Sequence, residues 1–189
     1  MKHAGIVLAA GASTRMGRPK ALLPTPAGIP LARFQAGLLA TAGCAEVVVV
    51  LGSDFEFIRK RLPHCATTRN LQWETGRFSS VQAGLRALHA FDGCLILPVD
   101  TVGVSLRTLQ ATREFAERNK PAAVRPTFNG SDGKIAWISK ELADEITGAE
   151  TADTRLDAIL REKAIRFPVD DPAILNNVNT PEEWKNVKL

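Results

Sequence analysis

Three cations, Arg15, Arg18 and Lys20, follow an apolar run at residues 5–10 in a loop rich in glycine and other small residues. The run is short and contains β-branched residues, which predicts a buried strand ending near Gly11. Small residues allow backbone N–H groups to approach a ligand closely, and the cations favour an anion. The stretch therefore predicts a loop that binds the phosphates of a nucleotide.

Two well-known phosphate-binding loops do not fit this stretch. A P-loop has its lysine directly after the second glycine, whereas Arg18 and Pro19 separate Gly17 from Lys20. The dinucleotide fingerprint G-x-G-x-x-G is also absent, because Ser13 stands at the second glycine position. Pro19 disfavours a single helix that would run on from Ser13. We therefore expect a long loop with Lys20 at its end.

Polar side chains follow three later strands of the predicted sheet: Asn70, Asp100, and the pair Asn177 and Asn179. Ligands of open α/β sheets gather at the carboxyl ends of the strands. The Asp100 carboxylate suits Mg²⁺, which takes one or two protein ligands together with phosphate oxygens. In an extended segment Asn177 and Asn179 would face the same side, so that both amide oxygens could point at one ion or phosphate. A turn or helix cap is the alternative role for Asp100.

Ser79 and Ser80 stand at the predicted start of a helix. Their hydroxyl groups and free N–H groups could bind a base, a ribose or a phosphate. A simple N-cap, with Gly84 packing the helix closely against the sheet, is the alternative.

Strands and helices alternate along most of the chain. Strands are predicted at residues 5–10, 46–51, 65–69, 93–99, 122–125, 134–138 and 164–169, and helices at 31–42, 54–62, 81–90, 106–119, 140–146, 154–161 and after residue 180. Asp54, Ser79 and Thr180 are the predicted N-caps, and Thr180 with Glu183 forms a capping box. The uniformly apolar strands indicate a parallel sheet covered on both faces, with segment 134–138 as an antiparallel edge. We predict a Rossmann-like three-layer α/β/α fold with a mixed, mostly parallel sheet, in which residues 1–189 form a single domain.

Composition narrows the functional class. The chain has 189 residues, of which 45% are hydrophobic and 23% charged, as in a globular domain. It has no apolar run of the ~18 residues that span a membrane and no secretory segment, so we expect a cytoplasmic protein. The net charge of +4 is modest and the basic residues are scattered. This favours a small anionic ligand over nucleic acid. The three cysteines form no C-x-x-C pair, so no zinc site or disulfide framework is expected.

The first loop resembles the nucleotide-binding signature of the nucleotidylyltransferases, in the molybdenum-cofactor branch of MobA/MocA-like proteins. Later segments are similar to further motifs of that family: Asn70-x-x-Trp73-x-x-Gly76 with Ser79-Ser80 and Gly84, the Val-Asp pair at Asp100, and Asn177-x-Asn179-Thr-Pro-Glu. By this resemblance the nucleotide-binding residues are Leu8, Ala9, Ala10, Gly11, Ala12, Ser13, Arg15, Lys20, Asn70, Ser79, Ser80 and Gly84. The implied catalytic residues are Arg15, Lys20 and Asp100, and the implied metal ligands are Asp100 with Asn177 or Asn179.

The resemblance implies transfer of a nucleoside monophosphate from a nucleoside triphosphate to the phosphate of molybdopterin, with Mg²⁺ as cofactor and pyrophosphate as product. A molybdoenzyme partner is compatible with it. Guanylyl enzymes of the branch have Leu-Ala-Gly-Gly and cytidylyl enzymes Leu-Ala-Ala-Gly, so Ala10 favours CTP, with GTP as the alternative.

The chain departs from the family pattern at two places, of which the first leaves the Asp100 carboxylate intact and only the second bears on the acceptor. Val102 replaces the proline that follows the aspartate, and Lys134-Ile135 replaces a His-Pro pair on the acceptor side. Lys134 and Arg155 are the candidate acceptor-binding residues. The alternatives are a cytidylyl- or uridylyltransferase acting on a sugar or polyol phosphate, and a nucleotide-binding domain without catalytic activity.

Overall fold

The computed structural model describes residues 1–150 and 155–187, and the strands in these ranges form one mixed sheet. The strands are β1 (His3–Ala9), β2 (Cys44–Leu51), β3 (Thr67–Arg69), β4 (Gly93–Pro98), β5 (Ala123–Phe128), β6 (Ser131–Asp132), β7 (Ala136–Ser139) and β8 (Ala164–Pro168). The helices are α1 (Leu31–Thr41), α2 (Phe55–Arg59), α3 (Arg77–Ala87), α4 (Leu106–Asn119), α5 (Lys140–Gly148), α6 (Leu156–Lys163) and α7 (Pro181–Lys185).

The strands lie in the order β3-β2-β1-β4-β7-β5-β6, and β8 pairs with β5. Strands β1 to β4 are mutually parallel, as are β5 and β8, whereas β7 is antiparallel to both of its neighbours. The carboxyl ends of the parallel strands therefore meet at one edge, which we call the carboxyl edge.

Two apolar cores cover the two faces of the sheet, because alternate residues of a strand point to opposite sides. Val7 and Ala9 of β1 belong to the core beneath α1, α2 and α4. Ile6 and Leu8 belong to the core beneath α3, α5 and α6. The predicted three-layer α/β/α fold with a mostly parallel mixed sheet is confirmed.

The position predicted for the segment at 134–138 was wrong. Strand β7 is antiparallel, as expected, but it pairs with β4 on one side and β5 on the other and is therefore not an edge strand of the sheet. Trp137 is fully buried there, and its indole fills the space beside Gly93, where a Cβ would lie 2.1 Å from the ring. A strand that is apolar on both faces is suited to an interior position.

Two predicted helix starts need correction. Asp54 is in the left-handed conformation and its side chain makes no cap hydrogen bond, and α2 ends at Arg59. Helix α3 begins at Arg77, so Ser79 lies in its first turn and not at its cap. The reason is Gly76, whose φ of 114° ends the preceding turn in a conformation that favours glycine.

Other predicted features hold. The capping box of Thr180 and Glu183 at the start of α7 is confirmed. The start of the helix predicted at 154–161 falls partly outside the described residues. None of the helices in residues 1–150 and 155–187 has the length and apolar composition of a membrane span.

Candidate active site

The first loop leaves the carboxyl end of β1 and folds back on itself, as predicted, without forming an α-helix. Ser13 and Gly17 have left-handed φ angles of 54° and 72° and flank a single 3-10 turn. The Ser13 hydroxyl accepts a hydrogen bond from the backbone N–H of Lys20 at 3.1 Å, which closes the loop. Met16 is buried and anchors it, whereas Arg15 is exposed at the rim.

Lys20 points inward from this loop and contacts two other segments of the carboxyl edge. Its ammonium Nζ lies 3.2 Å from Asp100 Oδ2 and donates a hydrogen bond of 2.8 Å to Asn179 Oδ1. The Lys20 side chain is only 11% exposed and that of Asp100 29%. Residues 20, 100 and 179 are thus brought together from three distant parts of the chain. We call this group the carboxyl-edge cluster.

Asn179 reaches the cluster and Asn177 does not. The segment is not a strand at this point, and Asn179 Nδ2 donates to the backbone carbonyl of Asn177 at 2.8 Å. Asn177 is exposed and lines a cleft with Gly103, Glu183 and Asn186. Within the described residues no hydrogen bond joins the Asn177 side chain to Lys20 or Asp100, so the sharing of one ion by both amides stays a prediction.

Glu183 holds Asn179 from the other side and was missed by the sequence analysis as part of the site. Its carboxylate accepts hydrogen bonds from the backbone N–H groups of Asn179 at 2.6 Å and Thr180 at 3.1 Å. These bonds, with the nearby charges of Arg15 and Lys20, lower the pKa of Glu183 below its ordinary value. The capping box was the available signal, but it was interpreted only as a helix start.

Asn70, Ser79 and Ser80 form a buried group that holds the loop between β3 and α3. Asn70 Nδ2 donates to both serine hydroxyls at 2.9 and 3.0 Å, and Asn70 Oδ1 accepts from the N–H of Gln72. The Ser79 hydroxyl lies 2.9 Å from the carbonyls of Gln72 and Gly76. These polar atoms are engaged within the protein, so the group shapes the loop that borders the first loop.

Gly84 lies inside the molecule, between α3 and the sheet. A Cβ there would come within 2.9 Å of Ile6 and 3.0 Å of Val50. Its position corresponds to the packing role that was the alternative to nucleotide binding.

Ala10 connects the first loop with the end of β2. Its carbonyl accepts from the N–H of Ser53 at 3.0 Å. Trp73 packs against Gly52, where a Cβ would lie 2.5 Å from both Ala10 O and Trp73 Cβ. The neighbouring residues of the signature divide between the buried strand end, which comprises Leu8 and Ala9, and the loop, which comprises Gly11 and Ala12.

The two candidate acceptor residues are Lys134 and Arg155. The backbone N–H of Lys134 donates to the carbonyl of Ile174 at 2.9 Å, and its side chain is half-buried. Arg155 is exposed and directly precedes α6, and the rest of its local motif, residues 151–154, lies outside the described residues. Within the described residues, no hydrogen bond or ion pair joins either side chain to Lys20, Asp100 or Asn179.

The chain matches the family model described as MobA-like NTP transferase domain over residues 5–167. A probable molybdenum cofactor guanylyltransferase of Mycobacterium tuberculosis is 30% identical over 183 residues, which cover 94% of this chain and 89% of that protein. Nicotine blue oxidoreductase of Paenarthrobacter nicotinovorans is 40% identical over 108 residues, covering 56% and 52%. A probable molybdenum cofactor guanylyltransferase of Rhodopirellula baltica is 31% identical over 135 residues, covering 65% and 64%. The matched regions thus span about half and just under two thirds of these last two relatives.

Solved structures give the same fold at low sequence identity. Rv0371c of Mycobacterium tuberculosis has a TM-score of 0.78 at 18% identity, with 98% of this chain and 97% of that one covered. A structure of the same protein in complex with manganese has a TM-score of 0.76, with 18% identity and the same coverage. The molybdopterin-guanine dinucleotide biosynthesis protein A of Archaeoglobus fulgidus has a TM-score of 0.74 at 20% identity, covering 98% and 95%. With the family model matched over most of its length, the chain belongs to the MobA-like NTP transferase family of nucleotidyltransferases.

Proposed function

We propose that this protein transfers a nucleoside monophosphate from a nucleoside triphosphate to the phosphate of molybdopterin in the molybdenum cofactor. The observation that carries the proposal is the carboxyl-edge cluster, in which Lys20 Nζ lies within 3.2 Å of Asp100 and 2.8 Å of Asn179. A phosphate-binding cation and two oxygen ligands thus converge at the edge where sheets of this type bind nucleotides. The relatives named molybdenum cofactor guanylyltransferase support the choice of acceptor.

The reaction joins an acceptor phosphate oxygen to the α-phosphorus and breaks the bond between the α-phosphorus and the bridging oxygen, so that pyrophosphate leaves. An ionised phosphate oxygen needs no general base, so positioning and charge neutralisation carry the catalysis. Lys20 and the exposed Arg15 hold the β- and γ-phosphates and neutralise the departing pyrophosphate. Backbone N–H groups of the small-residue loop from Gly11 to Ser13 approach the phosphates closely.

A divalent cation, which we propose is Mg²⁺, fits the donor set that the structure supplies. Asp100 and Asn179 present one carboxylate and one amide oxygen that already converge on a single positive charge, the Lys20 ammonium. No cluster of three His, Cys, Asp or Glu side chains occurs within residues 1–150 and 155–187, so oxygens of the nucleotide would complete the shell. When bound, the cation would supply neutralising charge at the phosphate oxygens. The manganese complex of a structural neighbour supports a divalent requirement.

A divalent cation at Asp100 Oδ2 and Asn179 Oδ1 would meet the positive charge of Lys20, whose Nζ already bonds both oxygens. We therefore infer that Lys20 exchanges Asp100 and Asn179 for the phosphates of a bound triphosphate, which would leave both oxygens to the cation. Metal and nucleotide should then bind with positive coupling, because each relieves the repulsion that the other would meet.

CTP is the proposed nucleotide, because Ala10 takes the position at which guanylyl enzymes of the branch have glycine. Trp73 packs against Gly52 next to Ala10, and this contact limits movement of the backbone at Ala10. GTP is the direct alternative, since the relatives that cover most of the chain are named guanylyltransferases. The proposal also includes a cytoplasmic location and a molybdoenzyme as recipient of the product.

An oxidoreductase activity is a second candidate, because the relative named nicotine blue oxidoreductase is 40% identical to this chain over 108 residues. Transfer to a sugar or polyol phosphate is a further alternative, because Lys134 replaces the family histidine on the acceptor side. The remaining alternative is a domain that binds a nucleotide without catalysis. Such a domain would retain its affinity for the nucleoside triphosphate but would release no pyrophosphate.

The test is a pyrophosphate-release assay with CTP, GTP, UTP and ATP against the molybdenum cofactor and a set of sugar phosphates, with and without Mg²⁺. We expect release that requires the molybdenum cofactor and Mg²⁺ and is fastest with CTP. A strong preference for GTP would overturn only the nucleotide choice, and release with a sugar phosphate would replace the acceptor. Absence of release with every pair, together with spectroscopic turnover of nicotine blue, would favour the redox alternative.

A further inference from the structure

Gln35 is a buried polar residue on the apolar face of α1, directly beneath the turn that carries Asp100. Its side chain is 2% exposed, and it comes from a helix that contributes no other polar group to the site. Gln35 Nε2 donates to the backbone carbonyl of Val99 at 3.3 Å and to that of Thr101 at 3.1 Å. The Gln35 amide thus donates its two hydrogens to the two carbonyls that flank Asp100.

The Asp100 turn is fixed by a continuous set of hydrogen bonds. Each carbonyl from residue 98 to residue 102 accepts one: Pro98 from Thr101 N, Val99 and Thr101 from Gln35, Asp100 from Val178 N, and Val102 from Asn176 Nδ2. Two of these five bonds therefore depend on Gln35 alone. The bond from Val178 ties the same turn to the segment that carries Asn179.

The amide of Gln35 has only one workable orientation. A flipped amide would direct its oxygen at two carbonyl oxygens, which repel it. In the observed orientation Gln35 Oε1 is buried without a hydrogen-bond partner, and among the buried side-chain nitrogen and oxygen atoms of the described residues only Thr101 Oγ1 shares this condition. Buried polar atoms without partners are uncommon, and each calls for a reason. Here the reason is that the donor end of the amide is needed at the Asp100 turn.

We propose that Gln35 is a positioning residue that sets the direction of the Asp100 carboxylate toward the metal–nucleotide complex. It touches neither substrate nor metal and acts only through the backbone on either side of Asp100. This inference rests on the proposed role of Asp100 as a metal ligand. Groups that orient a metal ligand in this way commonly change metal affinity by about 10- to 100-fold when removed.

The chain offers a matched control in Gln82 on α3. Gln82 is likewise buried, and its Nε2 donates to the backbone carbonyls of Ile146 and Ala149 at 2.8 Å each. These bonds go to the end of α5 and not to the Asp100 turn. Gln35→Met and Gln82→Met thus each remove an amide that bonds two carbonyls, and only the first acts on Asp100.

The experiment measures the affinity for Mn²⁺ by electron paramagnetic resonance in the presence of α,β-methylene-CTP, and in parallel α,β-methylene-GTP, well below the melting temperature. We expect Gln35→Met to weaken Mn²⁺ binding at least tenfold and Gln82→Met to leave it within twofold of wild type. Circular dichroism melts record the stability of both variants. Gln35→Asn, which keeps the amide but shortens the side chain by one methylene, provides a milder variant with an expected intermediate loss.

Asp100→Asn in the same titration distinguishes a failure of the positioning role of Gln35 from a failure of the proposed metal site at Asp100. If Asp100→Asn weakens Mn²⁺ binding but both Gln35 variants match wild type, the positioning role is wrong and the metal site stands. If Gln35→Met and Gln82→Met lose affinity equally, the effect is general loosening, which also contradicts the positioning role. If Asp100→Asn binds Mn²⁺ as wild type does, the proposed metal site itself fails.

Discussion

Two polar clusters lie at opposite edges of the same sheet and are built differently. The carboxyl-edge cluster of Lys20, Asp100 and Asn179 is carried by loops. At the other edge, Trp137 Nε1 donates to His3 Nδ1 at 3.1 Å, and His3 Nε2 lies 2.9 Å from Glu117. We call His3, Trp137 and Glu117 the amino-edge cluster, and its members lie on β1, β7 and α4.

The polar groups of the amino-edge cluster are fixed, whereas those of the carboxyl-edge cluster are available to a ligand. In the amino-edge cluster both ring nitrogens of His3 are engaged, which assigns the proton to Nε2, and Glu117 also pairs with Arg113 at 2.9 Å. Its partners are held by packed helices and strands, so the cluster stabilises the fold. In the carboxyl-edge cluster the long Lys20 side chain can exchange its protein partners for phosphates without unfolding any helix or strand.

Replacement of Lys20 or Asp100 by alanine gives the largest expected effect. Each change removes one preorganised charge from the site, and such losses typically lower turnover by ~10²–10³-fold. Pyrophosphate release measures the loss, and thermal melts should remain close to those of wild type because both residues lie on loops. Near-normal turnover in either variant would remove the catalytic assignment.

His3→Leu should affect the other cluster and spare activity. The change leaves the Trp137 N–H and the Glu117 carboxylate without their buried partner, at a cost of about 1–3 kcal/mol in the free energy of unfolding. Urea denaturation measures this, and the activity per folded molecule should be unchanged. Glu117→Gln keeps an acceptor for His3 and should cost less, so an equal loss in both variants would contradict the assigned bonding.

Lys20→Met should raise the affinity for Mn²⁺ when no nucleotide is present. The ammonium competes with the metal for Asp100 and Asn179, and removal of a partly exposed pair of this kind is worth about 1 kcal/mol, or roughly fivefold in affinity. The variant should also show weaker coupling between metal and nucleotide, because only the contribution of the nucleotide oxygens to the metal site would remain. Titration of Mn²⁺ with and without α,β-methylene-CTP checks both points, and unchanged affinity would show that the ammonium and the metal do not share a site.

Acidification should weaken the fold slightly through the amino-edge cluster. Burial lowers the pKa of His3 below its ordinary 6.5, against the opposing effect of Glu117. Below pH 6.5 the unfolded chain binds a proton that the folded chain does not, so stability is fully present above 6.5 and declines as the pH falls toward the folded-state pKa. Urea unfolding at pH 7.5 and 5.5 should show a smaller decline in the free energy of unfolding for His3→Leu than for wild type. Equal declines would show that His3 does not cause the loss of stability in acid.

The elements of the site that follow directly from strand ends could be predicted from the sequence. The first loop and Asp100 each follow a strand, Asn179 directly precedes the recognisable cap at Thr180, and topology then brings them to one edge. The direction of the Asn70 and Ser79 side chains could not be predicted in this way. It depends on where α3 begins, which is set by the left-handed conformation of Gly76.

Features that depend on contacts between distant segments could not be predicted from the sequence either. The insertion of β7 between β4 and β5 depends on the fit of Trp137 beside Gly93. The role of Gln35 depends on α1 lying beneath the Asp100 turn. Its one signal is a glutamine on the same helical face as Leu31 and Leu39, which marks a buried amide in need of partners.

The most direct test is a crystal structure of the protein with Mn²⁺ and α,β-methylene-CTP, with the metal located by anomalous scattering. We expect manganese bound to the oxygens of Asp100 and Asn179, with Lys20 Nζ moved onto the β- and γ-phosphates. Nucleotide bound at another face of the molecule, or Lys20 still hydrogen-bonded to Asn179 beside a bound triphosphate, would contradict it.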